Sequence, residues 1–118
     1  MNKPTRNLTL MTDLYELTMM NGYHALGYYK LGTADRTAVF DLFFRQAGQI
    51  SYAVAAGLEQ AVEYIENLHF DADDIEYLRA QGFGWIFLEE LRDFRFTGDV
   101  FSVPEGTIVF PNEPILIV

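Results

Sequence analysis

The sequence contains no cysteine, which rules out a disulfide framework, a thiolate nucleophile and a zinc–thiolate site together. Positive charge is also scarce. Eight Lys and Arg stand against seventeen Asp and Glu, for a formal net charge of −9. No basic cluster is available to neutralise phosphates, so no nucleic-acid partner is expected. Attraction to an anionic membrane surface is not expected either. Long apolar runs are missing, and nothing approaches the roughly 20 residues needed to span a bilayer. Lys3 and Arg6 lead into no apolar signal core, because Asp13 and Glu16 interrupt the stretch that would form it. With no targeting signal, a cytoplasmic location is the expectation. Internal repeats, low-complexity linkers, Gly-x-Gly-x-x-Gly and P-loop patterns are all absent.

What remains is rich in core-forming material. Half of the 118 residues are hydrophobic and 15% are aromatic, well clear of the composition of disordered chains. The length fits one domain, or part of one, and is enough to bury a core.

The order of elements predicts an α+β fold. Thr12 is a candidate N-cap, with Asp13 in the first turn to meet the positive end of the helix dipole. Leu14, Leu17, Thr18 and Asn21 continue at helical spacing, and Gly22 and Gly27 mark where the helix frays and stops. Thr37 to Arg45 alternates as a strand, with Phe40, Leu42 and Phe44 on one face. Val39, Asp41, Phe43 and Arg45 lie on the other, which suits a partly polar cleft or a partner. Gly48 marks a turn, and Tyr52 to Ala56 is a short apolar run of ambiguous type. A helix over 57–68 carries the stripe Leu58, Val62, Ile65 and Leu68. Asp71 caps a shorter helix bearing Ile75 and Leu78, closed by Gly82. Trp85 to Phe94 reads as a further helix. Short β segments follow at Asp99–Val103, Thr107–Phe110 and Ile115–Val118, separated by Pro-Glu-Gly and Pro-Asn-Glu-Pro turns. The closing Ile-Leu-Ile-Val is an apolar strand. Left uncovered it would invite edge pairing, which reads as a chain cut from a longer one, prone to associate through that edge.

Residues fit for chemistry are few. His24 and His69 have no spaced carboxylate or imidazole partners resembling metal ligands. Both lie near helix ends, where a cation meets the negative end of the dipole. Glu89-Glu90 and the Asp71, Asp73, Asp74 cluster read as solvated helix faces and caps. Two features stand apart. Asp13 and Tyr15 open the first helix, where free N–H donors suit a polar or anionic ligand and a Tyr ring can stack on a flat aromatic one. Residues two apart do not face each other on a helix, so both would meet one ligand only if the helix entered a pocket end-on. The residues alone favour a plainer reading, with Asp13 as a dipole-matching acid and Tyr15 as a core aromatic. Arg45 closes the strand. Four strand residues cover roughly 13 Å at about 3.3 Å each, too far for a bridge to Asp41. Its planar fork suits a phosphate or carboxylate, and a generic surface arginine is the equal alternative.

At these residues a resemblance appears. L-M-T-D-L-Y-E-L-T-M-M-N-G-Y, T-A-V-F-D-L-F-F-R, A-G-L-E-Q-A-V-E-Y-I-E-N-L, D-F-R-F-T-G-D-V and P-E-G-T-I-V-F-P-N-E-P are similar, in order, to the N-terminal part of nicotinate phosphoribosyltransferase. Gln46 to Ser51 departs from the Gly-rich loop common in that family, and Phe83 to Phe87 matches loosely. The resemblance implies the N-terminal α/β domain of a type II phosphoribosyltransferase, incomplete over residues 1–118, with the catalytic barrel domain absent. It implies an enzyme that joins nicotinate to phosphoribosyl pyrophosphate with coupled ATP hydrolysis and Mg2+, as a homodimer, in NAD salvage. Tyr15 would stack on the pyridine ring, in the partner subunit's site; Asp13 would lie beside it, and Arg45 would contact donor phosphate. The family's catalytic histidine lies beyond this stretch and matches neither His24 nor His69, so no catalytic or metal residue is expected here. A non-catalytic acidic interaction domain of the same fold is the alternative.

Overall fold

The computed structural model describes residues 7–20, 22, 27–28, 31–46 and 48–118. Helices and short strands mix as an α+β fold. They run α1 (Leu14–Met20), β1 (Asp41–Leu42), β2 (Ala53–Val54), α2 (Leu58–Glu66), α3 (Ala72–Ala80), α4 (Trp85–Asp93), β3 (Phe101–Ser102), β4 (Ile108–Val109) and β5 (Leu116–Ile117). Two compact units result, one from Met1–Arg36 with Glu66–Phe96 and one from Thr37–Ile65 with Thr97–Val118. Among the described residues no helix is long and apolar enough to cross a membrane.

The helical unit holds the apolar core. Leu17 of α1, Ile75 and Leu78 of α3, and Phe87, Leu88 and Leu91 of α4 cluster with Phe83, and Leu10, Met20 and Phe70 pack against them. Leu78 is wholly buried, at 0% exposure. α3 starts where the sequence places it. Asp71 caps it, accepting from the N–H groups of Asp73 (3.0 Å) and Asp74 (2.9 Å), and the Asp74 carboxylate returns a bond to Asp71 N (3.0 Å). That reciprocal capping box, with the added Asp73 bond, leaves three otherwise orphaned donors satisfied. At the other end Gly82 N reaches Arg79 O and Phe83 N reaches Leu78 O, the paired closing bonds of a Schellman turn. Gly82 sits at φ 90°, where a side chain would be strained. α4 buries Phe87, Leu88 and Leu91 and leaves Trp85 outside at 73% exposure.

The segment leading into α1 is tied to the turn between α2 and α3. Asn7 Nδ2 donates to Asp71 Oδ2 (2.9 Å) and Asp74 Oδ2 (2.8 Å), while its Oδ1 accepts from Thr9 N (3.0 Å). The buried Thr9 hydroxyl donates to His69 O (2.6 Å) and accepts from His69 N (3.3 Å).

The second unit is held mainly by antiparallel strand pairing. β5 lies between β1 and β3, and β2 pairs with β4. The expectation of an uncovered C-terminal strand is therefore overturned: β5 is the central strand of its sheet, and the edges are β1 and β3. The nine-residue strand expected over 37–45 is also shortened, to a two-residue ladder at Asp41–Leu42. Single bonds extend it, between Phe40 and Val118 in both directions (2.9 Å each) and from Asn112 N to Phe44 O (2.9 Å). Neither face of this segment is fully covered: Val39, Phe40, Leu42 and Phe43 are exposed, Phe40 at 70%, and Phe44 is half-buried. The ambiguous run at 52–56 resolves as β2.

α2 begins at Gly57, whose carbonyl accepts from Ala61 N (3.0 Å). Glycine offers no capping side chain, and the role falls to Glu105. Its two carboxylate oxygens accept from Gly57 N (2.7 Å) and Leu58 N (3.0 Å). None of the stripe expected on this helix is buried; Leu58, Ile65 and Leu68 are partly covered and Val62 is exposed.

Candidate functional site

The structure moves the start of α1 by one residue. Asp13, not Thr12, is the cap: its Oδ1 accepts from Glu16 N (2.8 Å), and its carbonyl accepts from Leu17 N (3.2 Å). A carboxylate is at least as good a cap as a hydroxyl and also meets the helix dipole. This revises the expectation that the first turn offers free donors to an anion. One donor is filled by Asp13, and its charge opposes an approaching anion. Asp13 Oδ2 takes no hydrogen bond among the described residues.

Tyr15 follows at the second helical position, and its environment contradicts the reading as a core aromatic. It is 66% exposed. The reason is rotational. At about 100° per residue, Tyr15 and Leu17 lie about 200° apart around the helix. Leu17 is buried in the core at 6% exposure, so packing Leu17 inward turns Tyr15 outward. α1 has only seven residues, too few to hold itself as an isolated helix. Its orientation comes from Leu17 and Met20 on one side and from the tethered segment before it.

Arg45 lies in the other unit, just past the Phe44 carbonyl that Asn112 holds. It is exposed and makes no hydrogen bond or ion pair among the described residues. The Asp41 bridge discounted on reach does not form. Asp13 and Tyr15 are thus neighbours on one helix start, and Arg45 belongs to a separate unit.

His69 lies past the end of α2, with Nδ1 2.6 Å from Asn67 O. A carbonyl accepts only, so Nδ1 carries the proton there. His24 lies outside the described residues, as do Lys3 and Arg6. Among the described residues no three His, Asp or Glu side chains converge to hold a metal ion. The acidic cluster is a cap, as read from sequence. The Asp74 backbone N–H, then the Asn7 amide, hold the Asp71 carboxyl below the usual range. Glu89 forms an exposed pair with Arg92 (3.1 Å). Burial pushes the Tyr64 phenol up.

A small apolar hollow in the second unit is lined by Leu42, Ala55, Gly57, Leu58 and Leu116, with Glu105 at its rim. The Glu105 carboxylate is committed to the α2 cap, so this hollow lacks the convergent polar groups that orient a ligand. Sequence reasoning missed two features. Glu105 was read only as part of a turn, and its helix lies 47 and 48 residues away. The partners of Asn7 are 64 and 67 residues away; an Asx turn to Thr9 was the only local signal.

Comparison with known proteins points in one direction. Residues 10–118 match the nicotinate phosphoribosyltransferase N-terminal domain. The chain is 49% identical over 108 residues to nicotinate phosphoribosyltransferase pncB2 of Mycobacterium tuberculosis, covering 89% of this chain and 22% of that protein. It is 44% identical over 112 residues to the nicotinate phosphoribosyltransferase of Bacillus subtilis, covering 93% and 22%. The crystal structure of human nicotinic acid phosphoribosyltransferase superposes with a TM-score of 0.71 at 34% identity, covering 90% of this chain and 21% of that one. The chain spans between a fifth and a quarter of the length of these relatives.

Proposed function

Because this chain belongs to the nicotinate phosphoribosyltransferase family, through its N-terminal domain, we propose that it is the substrate-holding N-terminal part of such an enzyme. In this reading residues 1–118 are a portion of that domain, and the catalytic barrel domain is supplied by the rest of a longer polypeptide. The reaction joins nicotinate to phosphoribosyl pyrophosphate. The pyridine nitrogen bonds to the anomeric carbon of the ribose, and pyrophosphate leaves with the electron pair of the broken C–O bond. Nicotinate mononucleotide is the product, in NAD salvage, and ATP hydrolysis couples to the transfer in the manner of a ligase.

Three residues of this chain take roles. Tyr15 stacks on the pyridine ring, in the partner subunit's site of a cytoplasmic homodimer. Asp13 lies beside the ring, where its negative charge favours the cationic pyridinium that develops as the bond forms. The same charge turns the nicotinate carboxylate away from it. Arg45 offers its unpaired fork to a phosphate of the donor. Mg2+ and ATP belong to the full-length enzyme in this reading; among the described residues no three His, Asp or Glu are grouped to hold a metal ion, and no role toward either falls to Asp13, Tyr15 or Arg45. The curated relatives carry the names of enzymes, so a non-catalytic interaction domain is not favoured.

The observation that carries the proposal is the outward Tyr15 ring on a helix whose opposite side packs into the core. The test is Tyr15→Ala in the full-length protein. Ring stacking contributes on the order of 1 kcal/mol, so the KM for nicotinate should rise about fivefold, with the KM for phosphoribosyl pyrophosphate unchanged. Equal rises for both substrates would remove the stacking role.

A further inference from the structure

The segment before α1 is held more firmly than a leader needs to be, and every bond that holds it points at one place. The Asn7 amide uses both of its N–H donors on carboxylates, Asp71 Oδ2 (2.9 Å) and Asp74 Oδ2 (2.8 Å), and its oxygen accepts from Thr9 N (3.0 Å). Thr9, buried, exchanges two bonds with the backbone of His69. Two tight turns follow, Met11 N to Leu8 O (2.9 Å) and Thr12 N to Leu10 O (2.8 Å), and the Asp13 cap comes directly after. Hydrogen bonds thus recur along the chain from Asn7 to the start of α1.

We infer that Asn7 is a positioning residue for Tyr15: the clamp it forms on the Asp71–Asp74 capping box sets where the α1 ring stands. The inference rests on the proposed stacking of Tyr15 on nicotinate.

First, α1 is seven residues long and touches the core through Leu17 and Met20, contacts that fix its distance from α3 and α4 but permit it to roll. A roll moves Tyr15, the exposed side chain, further than it moves Leu17 on the axis of the contact. The clamp removes that freedom by fixing the preceding segment to the start of α3, itself anchored by Ile75 and Leu78. Second, the amide is chemically required. Both α3 carboxylates are acceptors and already serve backbone N–H groups. Only a neutral side chain with two donors and one acceptor satisfies them and Thr9 N together. Aspartate has the same shape and would place a third negative charge against two others.

The test uses the full-length protein with Asn7→Asp, read against Tyr15→Ala. Asn7→Asp should raise the KM for nicotinate about fivefold and leave the KM for phosphoribosyl pyrophosphate unchanged. A loss of folded protein alone would lower apparent kcat and leave both KM values in place, which overturns the inference. In the Tyr15→Ala background, Asn7→Asp should change the nicotinate KM no further, because its effect runs through the ring; a full additional rise overturns it. The reciprocal exchange N7D with D74N returns an amide donor and a carboxylate acceptor to the same pair of positions. Asp71 still lacks its amide donor in that pair, so the exchange should recover part of the nicotinate KM, and no recovery counts against the clamp. The two levels fail separately. If Tyr15→Ala leaves the nicotinate KM unaltered, the stacking role falls and the positioning role with it. If Tyr15→Ala raises it and Asn7→Asp does not, only the positioning role falls.

Discussion

Replacing Asp71 with alanine would cut the α3 cap while leaving the core untouched. The side chain accepts from Asp73 N and Asp74 N and from the Asn7 amide. Loss of an acidic cap costs about 1 kcal/mol, within a range of roughly 0.5–2. The Asn7 bond, exposed to water, adds about 0.5 kcal/mol. The returning bond from Asp71 N to the Asp74 carboxylate involves only the backbone of residue 71 and survives. The sum is about 1.5 kcal/mol, close to a tenfold change in local opening. Amide hydrogen exchange in the full-length protein should therefore run about tenfold faster across Ala72–Ala80 in Asp71→Ala. Exchange in Leu58–Ile65, which belongs to the other unit, should be unchanged. The pH dependence has a definite sign. The folded Asp71 carboxyl titrates below its ordinary value, the Asp74 backbone N–H first among the causes. Its stabilisation is complete above the unfolded carboxylate pKa of about 4 and is lost as pH falls through the lower, folded value. The gap between wild type and variant should be constant at neutral pH and close at the acid end. Unchanged α3 exchange, equal acceleration in both helices, or a gap that widens on acidification would refute the reasoning.

Other perturbations have equally direct outcomes. Glu105→Ala strips the carboxylate from Gly57 N and Leu58 N and should speed exchange at the start of α2 about fivefold, at a cost near 1 kcal/mol; unaltered exchange there would deny the long-range cap. Leu78→Ala empties a position with no exposure and should cost about 2–5 kcal/mol, seen as a lower urea midpoint; a loss under 1 kcal/mol would mean the core collapses around it. The 118-residue polypeptide alone should show no transferase turnover, and measurable product from the purified chain would overturn the assignment of chemistry to the remainder of the relatives' length. Arg45→Ala in the full-length protein should raise the KM for phosphoribosyl pyrophosphate and spare that for nicotinate, the reverse of Tyr15→Ala.

Helices were legible where their signals are local. Asp71 with Asp74 three residues on, Ile75 and Leu78 on one face, and Gly82 after them fix α3 to within a residue, because caps, stripe and closing turn all lie within a dozen positions. α2 and α4 were similarly found, yet the burial of the α2 stripe was not: periodicity shows which residues share a face, and says nothing of what covers it. Strands fared differently. The alternation from Thr37 to Arg45 is real, but a ladder exists only where a second strand lies alongside, and β5 begins more than 70 residues later. β5 itself looked bare because its neighbours, β1 and β3, are not its neighbours in sequence. The Glu105 cap and the Asn7 clamp were hidden for the same reason.

The site shows the limit from the other side. Asp13 and Tyr15 sit two apart, and the residues alone favoured Tyr15 as a core aromatic, although Leu17 is equally large and apolar enough to face inward. A buried tyrosine must find a partner for its hydroxyl, and a leucine needs none, so an all-apolar core of Ile75, Leu78, Phe87 and Leu91 selects Leu17. Once Leu17 is inside, helix geometry leaves Tyr15 no choice but the outside. Its exposure is then a consequence of core chemistry rather than a sign of loose packing. In the proposed stacking role, a large aromatic held outward by a buried neighbour, on a segment clamped before it and capped at its first turn, would meet a flat ring with little ordering left to do. That preorganisation limits the entropy lost when a ligand stacks there, and it is why a perturbation as remote from the ring as Asn7→Asp should register in the affinity for nicotinate.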